Sequence, residues 1–129
     1  MKTLSGDRGA AAVEFALVAP LLLLLVMGIA EFGRAYNLQT TISGAAREGV
    51  RAMALQNDPA AARAAAQAAA GDLALTSTQI TVSPTSCPTN STGAPTMATV
   101  TINYPMSFIT GMFGAAITLH GTGVMRCNG

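Results

Sequence analysis

From Phe15 to Ala30 the chain reads FALVAPLLLLLVMGIA, a run without a single charge. Extended to Ala10 on one side and Gly33 on the other, it predicts a helix of about 36 Å at 1.5 Å per residue. A bilayer hydrocarbon core is about 30 Å thick, so the helix is long enough to span one. This block explains a lopsided composition, in which 50 % of the 129 residues are hydrophobic and only 10 % are charged. Soluble domains carry about 25 % charged residues. The remainder of the chain suffices for one small domain with a thin core. A net charge of +1 offers no electrostatic capture of nucleic acid, and the absence of tryptophan gives no base-stacking surface.

A short polar leader, MKTLSGDRG, precedes the run, with Lys2 and Arg8 as its basic residues. Three readings follow. A cleaved secretory signal needs a shorter apolar stretch, of at most about fifteen residues, and a small-residue site after it. Here Glu31-Phe32-Gly33-Arg34 follows, which fits poorly. A plain signal anchor is the second reading. The third places cleavage before the run, so that the apolar helix stays in the mature protein. Glu14 bears on the choice, because a carboxylate costs about 2.5–3.5 kcal/mol at the centre of a membrane helix and less toward its ends. Placement in the first helical turn, where the helix dipole favours an anion, accounts for an isolated Glu14. It does not account for Gly9 five positions earlier and Phe15 directly after.

The pattern Gly9-Ala10-Ala11-Ala12-Val13-Glu14-Phe15 resembles a prepilin peptidase site, in which cleavage follows the glycine and glutamate becomes the fifth mature residue. The stretch RGAAAVEFALVAPLLLLLVMGIAEFGRAYN resembles the TadE-like family, minor pseudopilins of tight-adherence (Flp-type) pili. Ala45-Ala46-Arg47-Glu48-Gly49-Val50-Arg51 and the closing GTGVMRC are also similar to it. The resemblance implies cleavage between Gly9 and Ala10, with Glu14 and Phe15 completing the processing segment. It implies a prepilin peptidase, other pilin-like subunits, the pilus assembly platform and membrane lipid as partners. Cleavage would bury a new amine at Ala10 among apolar helices, and a neighbour's Glu14 would neutralise it and set axial register. The dipole reading of Glu14 stands beside that one. Pro20, inside the span, removes one backbone hydrogen bond. It reads either as a packing kink at a subunit contact or as an ordinary tolerated membrane proline.

Beyond Gly33 the helical pattern continues to about Leu55, with Leu38, Ile42, Ala45, Ala46, Val50 and Met53 available to pack. Arg34, Arg47, Glu48 and Arg51 are read as a cluster on one side. Arg47 and Arg51 are candidate subunit contacts, against the plainer reading of a solvated face. Asn57-Asp58-Pro59 ends this helix and starts an alanine-rich one, with Asp58 as cap, Pro59 in the first turn and Gly71 as C-cap. Alternation over Gln79–Ser83 and over Ala98–Tyr104 predicts two strands, the second ended by Tyr104-Pro105. A third is expected from about Ile117 to Cys127, where Gly121 and Gly123 signal a bulge or a close backbone approach. Between the last two strands, MSFITGMFGAA reads as an apolar loop that either completes the core or marks a binding or membrane surface. Asn90-Ser91-Thr92 fits a glycosylation acceptor.

Cys87 and Cys127 are expected to form a disulfide if the domain is exported, and to be buried free thiols otherwise. Neither they nor the lone His120 make a metal-ligand pattern, and no nearby acid orients the histidine. No phosphate loop, serine elbow or carboxylate pair is present. The expectation is a non-enzymatic protein with no cofactor, no metal, no nucleic acid and no small-molecule substrate. Its fold is α+β: a transmembrane helix continuing out of the membrane, and a short helix on a three-stranded antiparallel sheet. The segments are a leader over 1–9, the span over 10–33, its extension over 34–57 and a small domain over 58–129. The functional expectation is a pilin-like subunit of a tight-adherence pilus or its apparatus, in the bacterial inner membrane with a periplasmic C-terminal domain. The alternative is an unprocessed, anchored periplasmic binding protein or assembly factor.

Overall fold

The computed structural model describes residues 5–88, 93, 95–109, 111, 114 and 116–128. Lys2, Asn90-Ser91-Thr92, Met112 and Phe113 fall outside them. The elements in order are α1 (Ser5–Gln56), α2 (Pro59–Ala70), two 3-10 turns (Gly71–Leu73 and Ser77–Gln79), β1 (Ile80–Ser83), β2 (Met97–Met106) and β3 (Ile117–Arg126). The chain divides into two compact units, Met1–Arg34 and Ala35–Gly129. The expected α+β class is observed, with one long apolar helix, one short helix and one antiparallel sheet.

Within the first unit α1 begins at Ser5, earlier than the expected Ala10. Nothing from Ser5 to Gly9 forbids helix, and Asp7 in the first turn is favoured by the helix dipole. The helix also runs on through Pro20.

In the second unit α1 turns from a uniformly apolar helix into a one-sided one. Ile42, Ala45, Ala46, Val50 and Met53 are buried, and their spacing of three and four residues lines a single face. Asn57 ends the helix in a left-handed conformation, φ 51°, with its N–H donating to the Met53 carbonyl at 2.9 Å. Asp58 then caps α2, accepting from the Ala60 N–H at 2.8 Å, and Pro59 occupies the first turn. The alanines of α2 have a structural purpose. Ala62, Ala66 and Ala70 form its buried stripe, and a Cβ added at Gly49 of α1 would lie 3.1 Å from both the Ala62 oxygen and the Ala66 Cβ. Only small side chains permit helices this close. The chain leaves α2 through Gly71, at φ 59°. Gln67 donates from Nε2 to the Leu75 carbonyl at 2.8 Å, holding the turn that leads into β1.

The sheet has the order β1-β2-β3, antiparallel throughout. Its inner face buries Ile80, Val82, Ala98, Val100 and Ile102 against the helices. Gly121 and Gly123 lie on the same face, opposite Ile102 and Val100. Their register with β2 is unbroken, so the close-approach expectation is met and no bulge forms. A Cβ on Gly121 would stand 2.7 Å from the Ile42 carbonyl oxygen, and one on Gly123 would stand 2.5 Å from that of Ala46. The match is metrical: four helical residues advance about 6 Å, and two strand residues about 6.7 Å.

Four strand boundaries differ from expectation, the slightest being the start of β2 at Met97 rather than Ala98. Gln79 belongs to a 3-10 turn, where its side chain accepts from the Thr76 N–H at 3.0 Å in a capping box. Cys127 lies one residue beyond β3. Strand β2 does not stop at Tyr104-Pro105 but continues to Met106, with Pro105 opposite Thr118. Pairing with β1 ends at Ile102, so the proline falls where β2 has an open edge and a missing N–H is tolerated. Met106 is therefore a buried strand residue rather than part of the loop. Beyond it Phe108 is half-buried and Ile109 is exposed.

A disulfide joins Cys87 to Cys127 across a sequence separation of 40. Around it, Cys87 donates its N–H to the Asn57 side chain. Cys127 donates to the Thr96 carbonyl at 2.8 Å, and Asn128 Nδ2 to that of Pro88 at 2.7 Å. The loop after β1, the end of β3 and the α1–α2 corner are thus held together.

Two measurements test this packing, both by urea unfolding of the full chain in detergent. Gly123→Ala is expected to destabilise by about 1–3 kcal/mol through overpacking. Gly44→Ala, where nothing lies within 4 Å of the added carbon, is expected to stabilise by up to about 1 kcal/mol. Equal stability of the two variants would contradict the close α1–β3 contact. Replacing both cysteines by serine is expected to cost about 3–4 kcal/mol, the chain-entropy value for a loop of this length.

Candidate functional site

The residues singled out for processing all lie on α1 in the first unit. Gly9, Ala10, Glu14 and Phe15 are helical and exposed, and nothing lies within 4 Å of a Cβ built on Gly9. A separation of four residues puts Ala10 and Glu14 on one side of the helix, one turn apart. Glu14 is the last charge before the apolar run and Glu31 the first after it.

Between them the helix is exposed on every side. Leu17, Val18, Leu21, Leu22, Leu23, Leu24, Leu25, Val26 and Ile29 are all open, and five consecutive leucines cannot share one face. A helix apolar all round belongs in lipid or inside a bundle of apolar helices. This is one helix long and apolar enough to cross a membrane, with a mean hydropathy of 2.5 over its most apolar window. Pro20 is exposed on it, and by removing an N–H leaves the Ala16 carbonyl without its helical donor.

Arg34 lies in the first unit, with its Nη1 3.9 Å from a Glu31 carboxylate oxygen. Arg47, Glu48 and Arg51 are exposed on the second. Glu48 and Arg51 line a shallow groove of about 240 Å³ with Ala52, Leu55, Gln56 and Ala65. A second hollow of about 260 Å³ is lined by Asn37, Leu38, Thr41, Ala70, Asp72 and Leu73. Both fall below the roughly 300 Å³ at which small-molecule sites begin.

His120 sits opposite Asn103 in the β2–β3 register, with its Nδ1 2.6 Å from the Asn103 Oδ1. Its carbonyl accepts from Gln39 Nε2 at 2.7 Å, so the residue ties β3 to α1. Among the described residues no group of three or more His, Cys, Asp or Glu side chains is placed to hold a metal ion.

Sequence reasoning missed Glu31. It was read only as part of a poor cleavage site, yet it is 4 % exposed and shares its turn with Arg34. The i, i+3 charge pair at the end of an apolar run was the available signal. Its burial was not visible in the sequence.

Residues 9–51 match the TadE-like protein family. The TadE-like match begins at Gly9, contains Ala10, Glu14, Phe15, Pro20, Arg47 and Arg51, and lies wholly within α1. It covers a third of the chain and leaves α2 and the sheet outside. The earlier resemblance is borne out over this segment. No curated protein and no solved structure gives a significant match.

Leu23 and Leu55 are almost equally open, at 65 % and 64 %, but only Leu23 lies within the uncharged run. Leu23→Lys is expected to cost about 2.5–3.5 kcal/mol of insertion and to shift protein into the alkaline-carbonate extract. Leu55→Lys should leave extraction unchanged; equal responses would dissociate membrane attachment from the apolar run.

Proposed function

We propose that the chain is a minor pilin-like subunit of a tight-adherence pilus or of its assembly apparatus, cleaved between Gly9 and Ala10 by a prepilin peptidase. The observation that carries this reading is the all-round exposure of the apolar run of α1, entered through Gly9 and a single carboxylate at Glu14. A lipid anchor needs the apolar run but not the glutamate. A subunit that packs its helix among others gains from a carboxylate one turn from a new N-terminal amine.

In this reading the precursor stands in the bacterial inner membrane with its leader in the cytoplasm. Arg8 and Lys2 favour that orientation by the excess of positive charge on the cytoplasmic side. The second unit is then periplasmic, an oxidising compartment in which the Cys87–Cys127 disulfide persists. After cleavage the Ala10 amine pairs with Glu14 of an adjacent subunit and fixes the axial register of the bundle. Pro20 adds a packing irregularity, and Arg47 and Arg51 present charge to neighbours outside the membrane. Other pilin-like subunits and the assembly platform are the partners.

Co-expression with a prepilin peptidase is expected to give a mature N-terminus at Ala10 by mass spectrometry, and Gly9→Leu to leave the precursor intact. An uncut leader, or cleavage near Arg34, would leave an anchored, unprocessed assembly factor as the better account. The role of Glu14 has its own test, in-membrane crosslinking to co-expressed pilus components. Breaking one side of a buried ion pair costs about 3–5 kcal/mol, so a stable, processed Glu14→Ala variant should lose its crosslinks and Glu14→Gln should retain part of them. Wild-type crosslinking by Glu14→Ala would reduce Glu14 to a residue favoured by the helix dipole.

A further inference from the structure

A sheet edge exposes unpaired backbone groups, and folded proteins guard it with short strands, proline, charge or a covering side chain. Two of the open edges in the second unit are guarded in this way. Strand β1 is four residues long and followed directly by Pro84, and its Ile80 carbonyl accepts from Arg63 Nε of α2 at 3.4 Å. The stretch of β2 beyond Ile102 carries Pro105. Strand β3 differs. It pairs with β2 without a break, contains no proline, and bears a single charge, Arg126, at its last position.

Two contacts show which groups face that edge. The His120 carbonyl accepts from Gln39 Nε2 at 2.7 Å. Carbonyls lie in the plane of a sheet, and one turned toward β2 would be out of reach of a helix side chain, so this one points to the open side. The His120 and Asn103 side chains also approach to 2.6 Å, as in an opposed pair that exchanges no backbone hydrogen bonds and so stands closer. In an antiparallel ladder such residues turn both N–H and C=O away from the neighbouring strand, and the pattern repeats every second residue. Thr118, His120, Thr122, Val124 and Arg126 therefore present their backbone outward, and all of them are exposed.

The surroundings select what can pair there. Helix α1 lies directly over β3, with Gly121 against the Ile42 carbonyl and Gly123 against that of Ala46. A second copy joined about a two-fold axis at this edge would bring its own α1 over a strand about 4.8 Å away, whereas packed helices need about 8–10 Å. An extended peptide with no helix above it fits. Two cations flank its place. Arg126 stands at the end of the edge strand, and Arg47 is exposed on α1 where a Cβ on Gly123 would lie 3.0 Å from its backbone nitrogen. Glu48, next along the helix, lines the groove toward Ala65 of α2 instead.

We propose that the open edge of β3 is a strand-addition site for an extended acidic segment of another protein. The outward backbone groups of Thr122 and Val124 supply affinity through main-chain hydrogen bonds, and Arg47 and Arg126 select acidic residues toward one end of the segment. Strand addition here uses contacts within the second unit alone and does not depend on cleavage at Gly9.

The test uses the full-length, oxidised chain in detergent micelles. Its probes are two fluorescent peptides of about nine residues, long enough to run along most of β3, that alternate valine and threonine. One ends in glutamates and the other in lysines. Without peptide, residue-resolved amide exchange should be fast at Thr122 and Val124 and slow at Gly121 and Gly123, whose N–H groups face β2. With the glutamate peptide at about ten times its Kd, exchange at Thr122 and Val124 should slow about tenfold. By fluorescence anisotropy the lysine peptide should bind about fivefold more weakly, and Arg47→Glu should weaken the glutamate peptide by about the same factor. Val124→Pro removes one outward N–H where an edge strand tolerates proline, and should abolish binding while slow exchange at Gly121 confirms the fold. Equal affinity for the two peptides would overturn the proposal. So would no binding of the glutamate peptide, or binding that leaves Thr122 and Val124 exchanging fast. Slow exchange at those two residues without peptide would overturn it as well, and loss of that protection on dilution would identify a second copy of the chain as the occupant.

Discussion

The contact between α1 and β3 governs the second unit, because it is made by backbone rather than side chains. Two glycines two residues apart bring the strand against the carbonyls of Ile42 and Ala46, one helical turn apart. At that distance there is no room for a side chain between the elements. The sheet can therefore cover the helix closely although the chain has few large apolar residues to spend outside its membrane run. The same economy recurs at Gly49, where α2 lies against α1 with only alanines between them. A domain packed this way has little bulk in its core, and the disulfide adds a constraint where the core is thin.

One helix serves two surroundings. From Phe15 to Ala30 α1 is apolar all round, and through the second unit it is apolar on one face and charged on the other. The change falls near Glu31 and Arg34, the first charges after the run. Both patterns belong to a single element and differ only in the periodicity of their apolar residues.

The TadE-like match spans this change of surroundings. It covers most of α1, from Gly9 through the apolar run to Arg51 on the one-sided half, and ends before α2 and the sheet. Those later elements pack on the face of α1 that carries Ile42, Ala46 and Gly49, within the matched segment.

By itself the sequence determined the apolar helix, its extension into a one-sided helix, the Asp58-Pro59 restart, the Gly71 stop and three strands. Each is written in local periodicity or in a capping residue, and local rules act between residues near in sequence. The Gly9-to-Phe15 pattern on which the processing proposal rests was also visible there, since it is a spacing of residue types within seven positions. Tertiary structure decided what depends on distant partners. Pro105 could continue β2 only because β1 is too short to need its N–H, and Met106 then became core rather than loop. Whether Gly121 and Gly123 meant a bulge or a close approach depended on a helix some eighty residues earlier. The burial of Glu31 and the exposure of Ile109 were settled in the same way. Burial is a property of the neighbours a residue acquires on folding, and no local pattern around it states what those will be.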